Sequence, residues 1–191
     1  MTPLDRILQR WRMRVAQPWI REGSRLLDIG CSQGEFLAFL GERIHNSVGI
    51  DPLLAGPITT PRYVLLRQAF QDPLPFPDRS FDAITLLATI EHIRDVEGVA
   101  REAARLLRPG GRAIITVPSP IVDRILAILI GLKLLHGMQP EEHYGFDPRI
   151  LPGLFAPVGL RLVARRRFQL SANNLMVFEA PRNTSGASGG P

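Results

Sequence analysis

One cysteine, one lysine and two tyrosines in 191 residues set the first limits on this chain. The lone thiol, Cys31, excludes a disulfide framework and an all-cysteine metal site. The four histidines, at 45, 92, 136 and 143, show no H-E-x-x-H or comparable spacing, so no metal is expected. No uninterrupted apolar stretch follows Met1, so no secretory signal is expected, and no run is both long and uncharged enough to span a bilayer. Internal repeats are absent as well. The compartment expected on these grounds is the cytoplasm. Lys133 being the only lysine, the basic side of the +5 net charge is arginine, a side chain suited to fork-like pairing with carboxylate or phosphate. That modest charge supports anionic partners in general and nucleic acid only weakly. What is present is ordinary for a packed domain: 45% hydrophobic and 21% charged residues exclude a wholly disordered chain, a collagen-like fibre and a coiled coil.

The first 21 residues read as an amphipathic helix. Leu4, Ile7, Leu8, Trp11 and Val15 recur at helical spacing, and Arg6, Arg10 and Arg14 form a second stripe. Thr2 suits the N-cap, Pro3 the first position, and Pro18 stops the helix. An arginine-rich start also resembles a mitochondrial transit peptide, but a core strand beginning near Arg25 leaves such a leader little room. From there strand and helix alternate over a domain set at 22–181. The strands expected are Arg25–Ile29, Ser47–Asp51, Tyr63–Gln68, Phe81–Leu87 and Arg112–Val117; helices are expected at Glu35–Arg43 and Val96–Leu107. Strands joined by helix-length connections predict an α/β domain with a parallel sheet and right-handed crossovers. After Gly159, two strands, Leu160–Leu170 and Asn174–Glu179, predict a hairpin that ends the sheet with an antiparallel edge. A lid-like helical insertion is expected at 119–146 and a disordered Gly/Ser-rich tail at 182–191.

The chemistry concentrates in Leu26-Leu27-Asp28-Ile29-Gly30-Cys31-Ser32-Gln33-Gly34-Glu35-Phe36 and in Asp51, 23 residues beyond Asp28. A strand that ends in a glycine turn before a helix gathers backbone N–H groups at one point. Glycine lets a ligand approach the backbone. An acidic residue at the end of the next strand can accept hydrogen bonds from both ribose hydroxyls. Together these describe a nucleoside site at the carboxyl edge of a doubly wound sheet, although the spacing is G-x-x-x-G and not the G-x-G-x-x-G of dinucleotide enzymes.

Five segments in register carry a family resemblance. They are Leu27-Asp28-Ile29-Gly30-Cys31-x-x-Gly34, Val48-Gly49-Ile50-Asp51, Leu74-Pro75-Phe76-Pro77-Asp78-Arg79-Ser80-Phe81-Asp82, Ile90-Glu91-His92-Ile93 and Leu107-Arg108-Pro109-Gly110-Gly111. The chain resembles class I S-adenosylmethionine-dependent methyltransferases of the small-molecule, ubiquinone/menaquinone-methyltransferase-like group, over roughly residues 22 to 180. The resemblance implies a doubly wound seven-stranded, mostly parallel sheet whose last strand is antiparallel, with S-adenosyl-L-methionine as cofactor. It implies that Asp28, Gly30, Cys31 and Gly34 surround the methionine half, that Asp51 holds the ribose, and that the backbone around Leu87 and Ala88 lines the sulfonium side. One departure stands out. The position that supplies an acid to adenine is Phe70 here, followed by Gln71 and Asp72. Either Gln71 or Asp72 reaches the amino group, or Phe70 packs on the adenine face and the polar contact is missing.

Methyl transfer from a sulfonium asks mainly for alignment, and for a base only where the acceptor must lose a proton. His92 and His143 are the catalytic candidates, each with a structural role as the alternative. Cys31 reads better as a packing residue than as a nucleophile. Leu86-Leu87-Ala88-Thr89 replaces the N/D-P-P-Y motif of amino-nitrogen nucleic-acid methylases, and no cysteine pair exists for pyrimidine carbon 5. Nucleic acid is therefore the lesser expectation. Ile121 to Leu135 carries three charges among ten Ile, Leu and Val residues. It suits a lid packed on the core or in a homodimer, or a greasy pocket or membrane-surface contact for a small, apolar or lipid-like acceptor. Two other readings stand beside this one: an RNA or protein methyltransferase, signalled by the basic N-terminal helix and Arg165-Arg166-Arg167, and a non-catalytic binding subunit of the same fold.

Overall fold

In the computed structural model of the chain, residues 3–119 and 146–182 are described. Thr2, the 121–135 segment, His143 and residues 183–191 lie outside them, and with them most of the expected insertion and tail. The chain opens with α1 (Pro3–Ala16), followed by a 3-10 turn at Gln17–Trp19, where Pro18 ends the helix. Then come β1 (Leu26–Ile29), α2 (Glu35–Leu40), β2 (Ser47–Ile50), β3 (Ile58–Thr59) and β4 (Tyr63–Leu66). The second half has β5 (Phe81–Leu87), α3 (Val96–Leu106), β6 (Leu107–Pro118), a short α4 (Leu151–Phe155), β7 (Arg161–Phe168) and β8 (Asn173–Glu179).

The eight strands among the described residues form one sheet in the order β3-β4-β2-β1-β5-β6-β8-β7. β1, β2, β4, β5 and β6 run parallel, and β8 is antiparallel to both β6 and β7. The eighth strand, beyond the seven expected, is β3, two residues that cover the β4 edge in antiparallel register. The last strand of the chain, β8, is antiparallel as the resemblance implies, and it lies one place inside the edge strand β7. β8 is buried along its whole length and pairs with β6 over seven residues, whereas β7 exposes Arg161, Arg165, Arg166 and Arg167. An apolar strand takes the interior and the charged one takes the edge, where unpaired backbone groups meet water. α2 is shorter than expected because the chain tightens into a 3-10 turn at Gly41–Arg43. β6 begins at Leu107 because Leu107 already pairs with Phe81 ahead of the Gly110-Gly111 irregularity.

Successive residues of a strand feed opposite faces. Leu175 and Val177 join Met13, Ala16, Phe36, Leu37 and Leu40 on the α1/α2 side, while Met176 and Phe178 join Val99, Ala103, Leu106 and Phe155 on the α3/α4 side. A sheet covered on both faces explains why β1 reads as an unbroken buried run. At β1 the strand order reverses, with β2 on one side and β5 on the other, and the crevice at the carboxyl ends of these strands is where such sheets take ligands.

Candidate functional site

The glycine turn after β1 is pinned to β2. The N–H groups of Gly30 and Cys31 donate to the carbonyl of Ile50, at 2.9 and 3.2 Å. Gly30 has φ +75°, and a Cβ there would come within 2.3 Å of the Thr89 side chain. Only glycine combines that backbone conformation with that approach. Asp51, 8% exposed at the end of β2, closes the turn from the other side: its Oδ2 accepts the N–H of Ser32 at 2.9 Å and its Oδ1 the N–H of Leu53 at 2.8 Å. One backbone donor on each oxygen fixes the carboxylate and leaves lone pairs on both for a ligand's hydroxyls.

Above this turn lies a cavity of about 550 Å3. Gly30, Asp51, Gln71, Asp72 and His92, five of the residues singled out in the sequence, lie on its wall together with Gln68, Phe70, Ala88 and Thr89. His92 ends a 3-10 turn at Ile90–His92, is exposed, and its backbone N–H donates to Thr89 at 3.0 Å. Phe70 is half-buried and packs on the α3-side core with one side on the cavity. Oδ2 of Asp72 accepts the Nε–H of Arg101 at 2.9 Å and lies 2.7 Å from its Nη2 in an ion pair, which ties this wall to α3. The Nε2 of Gln68 is buried and has no hydrogen-bond partner. Ala88 holds φ +57° with its N–H on the carbonyl of Thr116 at 2.8 Å, so the chain bends sharply where β5 leaves the sheet.

The other singled-out residues stand behind this wall. Asp28 is 2% exposed beneath the turn, and its Oδ1 accepts the Thr85 hydroxyl at 2.6 Å. Burial pushes its carboxyl up to about 7 against the lowering effect of that hydrogen bond, with Glu35 and Asp51 adding repulsion. Cys31 is buried against Gly49, where a Cβ would sit 2.7 Å from its Sγ; burial, then the charges of Asp28 and Asp51, push the thiol well above its usual range. Such a thiol is not a nucleophile. Gly34, φ +81°, gives α2 its start and lies against Leu65. Leu87 is half-buried and packs toward the α1/α2-side core, so the cavity meets the next two residues. Gln68, Thr89 and Leu53 are wall residues that the sequence does not single out; the signal for Thr89 is its place in Leu86-Leu87-Ala88-Thr89, the segment that stands where amino-nitrogen methylases carry N/D-P-P-Y.

The donor set fits a nucleoside cofactor: a fixed carboxylate for a diol, an aromatic face, an orphaned amide and a glycine floor. The volume falls within the roughly 300–1,000 Å3 of small-molecule and cofactor sites. Comparison with known proteins agrees. The chain is 36% identical over 115 residues to 27-O-demethylrifamycin SV methyltransferase of Amycolatopsis mediterranei, covering 53% of this chain and 42% of that protein. It is 29% identical over 147 residues to the ubiquinone biosynthesis O-methyltransferase of Aeromonas salmonicida, covering 72% and 61%. The chain thus spans roughly half of the length of these curated relatives. The putative methyltransferase solved in complex with the Haloferax volcanii Trm112 activator superposes with a TM-score of 0.70 at 18% identity, over 91% of each chain, which shows the shared fold. A family model described as a methyltransferase domain matches residues 3–165. The chain therefore belongs to the methyltransferase-domain family, within the S-adenosylmethionine-dependent class.

Proposed function

We propose that this chain binds S-adenosylmethionine in the cavity above Gly30 and transfers its methyl group to a hydroxyl of a small, apolar or lipid-like acceptor. The observation that carries this reading is the Asp51 carboxylate, fixed by two backbone donors on the wall of a cavity floored by Gly30. When bound, the cofactor supplies a methyl group already activated by its sulfonium. The chain's own part is orientation. Asp51 holds the ribose through its remaining lone pairs, and Phe70 offers an aromatic face to the base. The Gln68 amide and the 71–72 backbone supply polar contacts that an acid at position 70 would otherwise make. Gly30 and the bend at Ala88 leave room for the methionine half. Asp28 stands behind the turn, bonded to Thr85 of β5, and Cys31 and Gly34 shape that turn by packing.

His92, exposed on the same wall, takes the proton that a hydroxyl acceptor must lose. The hydroxyl acceptor is supported by the names of the two relatives, both O-methyltransferases by their description or substrate. The apolar acceptor is supported by Leu53, 87% exposed at the cavity, and by the composition of 121–135. His143 remains a second candidate base on sequence grounds alone.

Calorimetric titration with S-adenosylhomocysteine tests the cofactor site. Micromolar binding that Asp51→Ala abolishes is expected; no binding to the unaltered chain overturns the reading and favours a binding subunit of the same fold. Methyl transfer to hydroxylated lipids and quinols, with a His92→Gln variant that lowers turnover but leaves S-adenosylhomocysteine binding intact, then tests the acceptor. Transfer to RNA in preference to these acceptors would overturn it.

A further inference from the structure

Three large apolar side chains stand uncovered on one side of the molecule. Leu170 is 99% exposed at the tip of the turn between β7 and β8; Ile7 and Trp11, one helical turn apart on α1, are 61% and 43% exposed. The structure joins these two elements: the Gln169 side chain donates from Nε2 to the carbonyl of Leu8 at 2.8 Å and accepts from Asn173. Gln169, Leu170 and Ser171 all have positive φ, at 53°, 54° and 68°. That is an unfavourable backbone for side-chain-bearing residues, and three in succession turn Leu170 outward while Gln169 before it is held. The arrangement displays a leucine that could have been tucked in.

The charge around these side chains is mostly positive. Arg6, Arg10 and Arg14 are exposed on α1, and Arg166 of β7 joins Trp11, Arg14 and Trp19 around a recess of about 430 Å3 between helix and strand. Asp5 is the only carboxylate on α1. Ile7, Trp11, Arg14 and Pro18 follow the spacing of a single helical stripe, so apolar and cationic groups share the outward face while Met13 and Ala16 turn inward. The turn lies at the carboxyl edge of the sheet, since Asn173 pairs with Pro118 at the end of β6, and the cavity opens on that same edge.

We infer that this face docks on a lipid bilayer carrying anionic headgroups. Leucine and isoleucine enter the acyl boundary, the Trp11 indole sits at headgroup level, and the arginines meet lipid phosphate. A protein groove would need shape to receive it; here isolated apolar side chains project from a cationic surface, which suits a fluid, negatively charged layer. Docking in this pose brings the carboxyl edge toward the lipid, and in that sense it rests on the lipid-like acceptor proposed above.

Co-flotation of the full chain with phosphatidylcholine vesicles, with and without phosphatidylglycerol, tests it. Binding that requires phosphatidylglycerol and fades with added salt is expected. Ile7→Ser with Leu170→Ser, and separately Arg6→Gln with Arg10→Gln, should each weaken it by about tenfold, whereas Ile58→Ser, at the opposite edge of the sheet, should leave it unchanged. The fluorescence blue shift on vesicle addition should vanish in Trp11→Phe, which retains Trp19 as the other indole. No dependence on phosphatidylglycerol, equal weakening by Ile58→Ser, displacement of vesicles by homopolymer RNA, or self-association through Leu170 without vesicle binding would each overturn the inference. Titration of each variant with S-adenosylhomocysteine in the absence of vesicles separates the two proposals. Unaltered nucleoside affinity with no flotation sinks the docking alone; flotation without nucleoside binding sinks the function alone.

Discussion

At the scale of single residues, the site depends on one steric fit and one buried charge. Gly30→Ala places a methyl group within 2.3–2.9 Å of three Thr89 atoms on a backbone at φ +75°. Thermal unfolding should show a loss of roughly 1–3 kcal/mol, and titration a loss of S-adenosylhomocysteine binding. Thr89→Ala in the same chain should recover part of the stability. Asp28 makes a pH prediction. Its carboxyl titrates at about 7 in the folded chain, against roughly 4 when unfolded. The native state therefore holds the extra proton between these values, and this contribution to stability is complete below pH about 4 and lost as pH rises toward 7, by roughly 4 kcal/mol at most. Asp28→Asn should flatten that stretch of the stability–pH curve measured by denaturant unfolding; an unchanged curve would show that Asp28 ionises freely. The sequence named Gly30 and Asp51 because their chemistry is local to a turn and a strand end. It could not tell that Asp28 and Cys31 lie behind the turn, because which side of a bend a side chain occupies depends on Thr85 and Gly49, far along the chain.

At the scale of elements, the Leu74–Asp78 segment is held by α3. Glu102 is 3% exposed; its Oε2 accepts the Leu74 N–H at 2.8 Å and its Oε1 the Arg105 Nε at 2.7 Å. Arg105 also donates to the carbonyls of Leu74 and Phe76 and to Asp78, at 3.0, 2.8 and 2.7 Å. The cavity wall at 68–72 runs directly into this clamp, and Arg101 ties Asp72 to the same helix. Arg105→Ala strands a buried carboxylate, which should cost roughly 3 kcal/mol in chemical unfolding and weaken nucleoside binding as the wall loosens. Arg105→Lys, which keeps charge but not the fork, should fall between. In the sequence, Leu74-Pro75-Phe76-Pro77-Asp78 was visible as a motif, yet its partners on α3 lie 24 or more residues away and only the packing of helix on sheet brings them together. The same holds for the hairpin. Two strands were legible from their pattern, but the burial of β8 between β6 and β7 follows from which of them the neighbouring sheet could cover.

For the molecule as a whole, ligand and fold are linked by mass action. S-adenosylhomocysteine at about a hundred times its dissociation constant should add nearly 3 kcal/mol, raising the melting temperature by roughly 5–10 °C for a chain of this size. Differential scanning fluorimetry checks this, and Asp51→Ala should abolish the shift. Among the described residues, no helix is long and apolar enough to cross a membrane, and no group of three or more His, Cys, Asp or Glu could hold a metal ion. The lipid contact inferred above is made through the surface of α1 and the β7–β8 turn.

The sequence by itself determined the α/β architecture, the glycine turn and the acidic strand end, because alternation, turn residues and motif spacing are properties of neighbouring residues. The tertiary structure alone decided which of those residues face the cavity, which stand behind it, and that Leu170 and α1 share a surface. Those facts depend on contacts between segments as distant as Leu8 and Gln169, and local chemistry carries no record of such pairings.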